Sequence, residues 1–136
     1  MAATKSDLTQ VGASERTSAT LNELLDLGHI DELSDGYRLG IVVALAFGRT
    51  PSVDSRQGRK TTLAVSSLDP DGAIKAAVRE IYPEVASLPY RAAEDLAEQG
   101  VEILKDSMEG DSISFSDLMK RVWSANPVDK ASTAAR

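Results

Sequence analysis

Apolar positions along this chain recur mostly every three or four residues, the spacing of helices that bury one side. The first such run begins at Thr20. Thr20 and Glu23 have the spacing of a capping box, Leu21, Leu24 and Leu25 share a face, and Gly28 suits the left-handed residue that closes a helix. Ser34 or Asp35 can cap a second helix running to about Phe47. Its stretch from Leu39 to Phe47 is apolar on nearly every side, which marks it as the central buried element. Gly36 and Gly40, four apart, would let another helix approach closely. The β-branched Ile41, Val42 and Val43 keep a strand open there, but the capped start and the length favour helix.

The period changes after a polar loop from Arg49 to Lys60, which holds Pro51 and Gly58 and is the expected internal boundary. Leu63 and Val65 then alternate with Thr, Ala and Ser, the pattern of one short strand over residues 61–66. With no second strand evident, it should pair with another copy of the chain or stay simply extended. Asp69-Pro70 reads as a helix start, a carboxylate cap followed by proline at the first helical position, with Ile74, Ala77, Val78 and Ile81 as its stripe until Pro83. The next helix runs from Pro89 to about Lys105 on Ala92, Ala93, Leu96, Ala97, Gly100, Ile103 and Leu104. A last one runs from Ser114 to about Trp123, with Ser114 and Asp117 at capping-box spacing and Ile113 and Leu118 placed as a hydrophobic staple. Trp123, the only tryptophan, is expected to be buried.

The sum is a mostly α fold: a bundle of about five helices with at most one short strand, occupying residues 17–124. Residues 1–16 read as a flexible arm and 125–136 as a flexible tail, since neither carries an apolar stripe. A shift of 53 residues lays Leu21, Leu24 and Leu25 over Ile74, Ala77 and Val78, and Tyr37-Arg38 over Tyr90-Arg91. Two related helix hairpins would produce that register, and so would chance agreement between two amphipathic helix pairs.

Composition narrows the chemistry. The 136 residues carry 15 Lys and Arg against 21 Asp and Glu, a net charge of −6, which argues against broad binding to nucleic acid or anionic membranes. The acid is unevenly placed: seven bases and eight acids up to Leu68, eight and thirteen beyond. The absence of cysteine excludes disulfides, thiolate metal sites and a cysteine nucleophile, and the single histidine, His29, excludes relays needing two imidazoles. Asp69-Pro70-Asp71-Gly72 shares its opening with a calcium loop, but Ala73 stands at a ligand position and the glycine is misplaced. No phosphate-binding glycine loop or hydrolase motif occurs. The expectation is therefore no catalytic residue, no metal and no cofactor. The first twenty residues lack the apolar core of an export signal, so cytoplasm is the expected compartment.

Two features remain as candidate surfaces. The helix from Pro89 turns an acidic face outward, Glu94, Asp95, Glu98 and Glu102, fitted to a basic partner surface if it does more than stay solvated. Arg49, Arg56, Arg59 and Lys60 form a local basic cluster.

The strand from Thr61, the helix from Asp69 and the helix from Pro89 together resemble, at the level of pattern, the ribbon-helix-helix fold of small DNA-binding regulators. The resemblance covers about Lys60 to Asp106. It implies two chains pairing their strands into a ribbon that enters the major groove. Lys60, Thr62 and Ala64 or Ser66 would then read bases, while Arg56 and Arg59 would meet phosphate. The long turn between Pro83 and Pro89, the weakly basic ribbon and the acidic second helix depart from the family pattern. Many such regulators, antitoxins among them, add a partner-binding segment, a part the acidic C-terminal half could play.

Two functions follow. The preferred one is a non-enzymatic interaction module or accessory subunit of a larger assembly, meeting another protein or a second copy of itself. The alternative is a dimeric, antitoxin-like DNA-binding regulator.

Overall fold

A computed structural model describes residues 6–54 and 58–125. The fold is mostly helical, as the periodicity predicts. Strand β1 (Gln10–Ala13) leads into α1 (Glu15–Asp26) and α2 (Leu33–Ala46). Strand β2 (Lys60–Ala64) leads into a single turn, α3 (Val65–Leu68), then α4 (Ala73–Ile81), a 3-10 turn at Pro83–Val85, and α5 (Pro89–Asp106). A two-residue hairpin, β3 (Met108–Glu109) and β4 (Ser112–Ile113), turns the chain into α6 (Phe115–Ala125).

The strand predicted after Thr61 does find a partner, and finds it inside the chain. β1 pairs antiparallel with β2, Val11 opposite Leu63 and Gly12 opposite Thr61, with a bulge between the two pairs. β1 lies in the segment expected to be a flexible arm. Its short apolar content, Val11 at 0% exposure, is enough because the ribbon shares the load with α1, α2 and α5. The arm is corrected accordingly: residues 10–16 belong to the fold, while residues 1–5 and most of the expected tail lie outside the described residues.

Helix boundaries shift for identifiable reasons. α1 starts five residues before Thr20, because the Ser14 side chain caps it by accepting the Thr17 N–H at 3.2 Å, with Glu15 in the first turn facing the positive end of the helix dipole. Thr20 instead turns its hydroxyl back to the Arg16 carbonyl. α2 is a helix, not a strand, closed at its start by reciprocal bonds of Glu32 and Asp35. Pro70 does not open α4 as expected: the helix begins at Ala73 after Gly72 at φ 75°, and Asp69 serves it from further back, its carboxylate accepting the Ile74 and Lys75 N–H groups.

Helices α2 and α5 cross at the centre. A Cβ at Gly100 would lie 1.6 Å from the Gly40 carbonyl oxygen, and one at Gly40 would lie 2.8 Å from that of Ala97. The crossing therefore requires backbone against backbone, and glycine permits it. Three apolar clusters run along this pair: Val11, Leu21, Tyr37, Leu68 and Val101 under the ribbon; Val78, Tyr82 and Leu96 under α4; and Leu24, Phe47, Leu104 and Leu118 under α6.

Candidate partner-binding groove

The acidic residues of α5 separate into two kinds, because α5 is enclosed on more sides than an apolar stripe alone implies. Glu94 is only 6% exposed. Its carboxylate accepts the Gly12 N–H at 2.7 Å and the Arg59 Nε–H at 2.9 Å, and pairs with Arg59 Nη2 at 2.8 Å. A buried carboxylate is tolerable when bonded this fully. Gly12 must be glycine, since a Cβ there would stand 2.7 Å from the Lys60 carbonyl oxygen. Asp95, 7% exposed, accepts the Ser52 N–H and the Gln99 side-chain amide, each at 2.8 Å, and so pins the loop that follows α2. The expectation that Glu94 and Asp95 face a partner is corrected: the ribbon and the loop after α2 cover them.

Glu98 and Glu102 lie further along and remain at a surface, that of an open groove. It lies between α1 and α5, holds about 780 Å³, and is lined by the acidic residues Glu23, Glu98, Glu102 and Asp106, with the buried Asp95 also bordering it. Arg16 and Lys105 are its cations, and Thr17, Thr20, Ala19 and Val101 add small or neutral surface. Ion pairs span it: Lys105 Nζ to Glu23 at 2.7 Å and Arg16 to Glu102 at 3.7 Å. The Thr17 hydroxyl donates to Glu98 at 3.4 Å, long for a hydrogen bond. Both ion pairs are exposed, so they hold the two helices weakly and can exchange for others. Two of the four acidic residues singled out in the sequence, Glu98 and Glu102, thus meet in one groove, which the buried Asp95 borders. The α1 wall was missed. The signal for it was Ser14 followed by Glu15, a cap with an acid in the first turn.

The basic residues are scattered. Arg56 lies outside the described residues. Arg59 is held by Glu94 and by the Gln10 carbonyl, so much of its charge is spent inside the fold. Lys60 is exposed on the ribbon; Thr62 is half-buried, its hydroxyl bonded to the Lys60 carbonyl.

A polar cluster ties the residues before β1 and before α4 to the start of α5. The Tyr90 hydroxyl donates to Asp69 at 2.8 Å, while the Tyr90 and Arg91 N–H groups donate to Asp7 at 3.0 Å each. Burial raises the Asp69 pKa, but the Ile74 and Lys75 N–H groups and the Tyr90 hydroxyl outweigh it, leaving Asp69 below the usual carboxylate value. Burial, then the hydrogen bond and charge of Asp69, push Tyr90 up to about 12. This cluster is structural in its bonding, capping α4 and α5. His29, in the turn after α1, is exposed and donates from Nε2 to the Asp111 carbonyl at 2.7 Å. Trp123 is 47% exposed, against the expected burial, because Leu118 and Val122 supply the side of α6 that packs.

No family model, curated protein or solved structure matches the chain. Among the described residues no group of three or more His, Asp and Glu side chains is placed to hold a metal ion, and no helix is long and apolar enough to cross a membrane.

Proposed function

We propose that this chain is a small non-enzymatic interaction module, an accessory subunit of a larger cytoplasmic assembly, whose groove between α1 and α5 takes a basic segment of another protein. One observation carries the reading: the carboxylates of Glu23, Glu98, Glu102 and Asp106 against two cations around a groove large enough for side chains of an extended or helical segment. A cationic side chain entering there replaces exposed ion pairs worth little in themselves, so exchange is cheap. Binding should therefore be steered by charge and weaken with salt.

The test is fluorescence anisotropy with a labelled lysine-rich peptide at low salt, together with native mass spectrometry of the protein drawn from its own cells. Glu102→Lys should weaken peptide binding at least tenfold while leaving the melting temperature unchanged. Equal binding by Glu102→Lys, or a chain that is monomeric and partnerless in native spectra, would overturn the reading.

A second reading has a specific observation in its favour. The β1–β2 ribbon joins two strand–helix–helix halves of one chain, an arrangement that a ribbon-helix-helix regulator builds from two chains. Lys60 and Thr62 would then read DNA with Gln10 beside them. The pairing of Arg59 with Glu94 weighs against it. Replacing Lys60 by alanine should lower DNA affinity and flatten its salt dependence, by roughly one unit of slope for each phosphate no longer neutralised. No binding by the unaltered protein at low salt ends this reading.

A further inference from the structure

We propose that Arg16 and Lys105 are internal competitors built into the groove: in the free protein they hold carboxylates that a basic segment must take from them. The inference rests on the reading of the groove as a site for such a segment, and adds what regulates its affinity. Lys105 Nζ, on α5, stands 2.7 Å from Glu23 on α1. Arg16 Nη1, on α1, stands 3.7 Å from Glu102 on α5. The two pairs thus cross the groove in opposite senses, and each cation sits against a carboxylate that a partner's cationic side chain would otherwise meet.

The fold does not need either pair. α1 is packed by Leu21 and Leu24, which join apolar clusters with Val101 and Leu104 of α5. Both ion pairs are exposed, so each contributes little to stability. Their local settings differ. Lys105 lies in the last turn of α5, where the helix dipole favours a cation. Arg16 lies in the first turn of α1, where the dipole disfavours one, and its side chain is 81% exposed. Helix physics therefore accounts for Lys105 and not for Arg16, whose charge acts on the groove and not on its own helix. Glu23, Glu98, Glu102 and Asp106 would attract a basic segment with four charges, and the two internal cations halve that attraction. Docking exchanges one set of ion pairs for another, so the affinity is set by how easily Arg16 and Lys105 are displaced.

The full chain and its variants R16Q, K105Q and R16Q/K105Q are titrated against a labelled lysine-rich peptide by fluorescence anisotropy. The ionic strength is held at about 0.15 M, where screening over about 8 Å confines the effect to nearby charges. Each single variant should bind roughly two- to fivefold more tightly than the parent, the exchange value of one exposed ion pair. The double variant should bind more tightly than either, with the circular-dichroism melt intact. Two controls should keep the parent affinity: Lys105→Arg, which retains the charge, and Lys120→Gln, which removes the same charge from α6, outside the groove. Equal or weaker binding by R16Q/K105Q while the parent binds overturns the inference and leaves the groove reading standing. A gain as large in Lys120→Gln or in Lys105→Arg overturns it too, since net charge or a loosened helix contact would then be the cause. Binding by neither the parent nor R16Q/K105Q ends the groove reading, and the inference falls with it.

Discussion

The two strand–helix–helix halves of the molecule are built alike and filled differently. In each, a Tyr-Arg pair stands in the N-terminal part of the second helix, Tyr37-Arg38 in its second turn and Tyr90-Arg91 in its first. Tyr37 donates to the Gly12 carbonyl at 2.8 Å and Tyr90 to Asp69 at 2.8 Å, both within their own half. Arg38 reaches the carbonyls of Ser67 and Leu68, and Arg91 that of Ser6, both in the opposite half. The bonding is alike in kind and not in partner, since Tyr37 meets a backbone carbonyl and Tyr90 a carboxylate. Beneath the first helix of each half the likeness ends. α4 closes on α2 and α5 through Val78, Tyr82, Ala44 and Leu96, a dry apolar cluster. α1 also packs Leu21 and Leu24 into apolar clusters with Val101 and Leu104 of α5, but beside them it meets α5 through Thr17, Glu98 and two exposed ion pairs, and leaves the groove. An architecture able to seal both flanks seals one, and the open flank is where a function is most economically sought.

The largest effect should come from the element both halves share. Gly100→Ala puts a methyl group 1.6 Å from a backbone oxygen of α2, which no rotamer change can relieve. The helices must separate, and we expect a loss of about 4 kcal/mol or more, above the range usual for overpacking. Gly28→Ala, where no neighbour lies within 4 Å but φ is 79°, should cost only about 1 kcal/mol. Urea midpoints of the two variants, read against the parent chain, check both.

Two of the buried carboxylates of the second half, Glu94 in α5 and Asp69 before α4, differ in partner. Glu94 answers a guanidinium and a strand N–H; Asp69 answers helix N–H groups and a phenol. Glu94→Gln leaves Arg59, whose side chain is 27% exposed, without its counter-charge and should cost about 2–3 kcal/mol, felt first as fraying of β1 in hydrogen exchange.

What the sequence showed and what it hid follow from the range of the interactions. The stripes of α2 and α5, the glycine at position 40 and the Asp69 cap were legible because each is declared within a turn or two of the chain. β1 was hidden because four residues with one large apolar side chain, Val11, carry no period of their own and gain a structure only from β2, some fifty residues away. The burial of Glu94 and Asp95 was hidden for the same reason: their partners Gly12, Arg59 and Ser52 are 35 to 82 residues distant. Trp123 was misread because size favours burial, whereas the smaller Leu118 and Val122 face the core.

Acid should separate the two carboxylates further. The Asp69 pKa is depressed, so the unfolded chain binds the extra proton and stability falls as pH drops from about 4 through the lower folded value. Asp69→Asn should remove that slope and cost about 1–2 kcal/mol at neutral pH through the weakened cap. Tyr90, raised to about 12, acts at the other extreme: its contribution is present below pH 10 and is lost as pH rises toward 12. Thermal melts from pH 2.5 to 11 on both proteins measure each limb.

The smallest stability change should come from making the open flank resemble the closed one. By the 53-residue register Glu98 corresponds to Leu45, which packs against the apolar clusters of the other half. Glu98→Leu gives up a long hydrogen bond from Thr17 and buries apolar surface against the Ala19 and Val101 side of the groove. The two terms nearly cancel, and we expect a change within about 1 kcal/mol of either sign. The binding of a lysine-rich peptide should fall at least tenfold in the same variant. A loss of more than about 2 kcal/mol would mean that Glu98 holds α1 in place as a structural residue. The two flanks would then differ in how they are closed, not in whether they are, and the groove would lose its claim to be the functional side of the molecule.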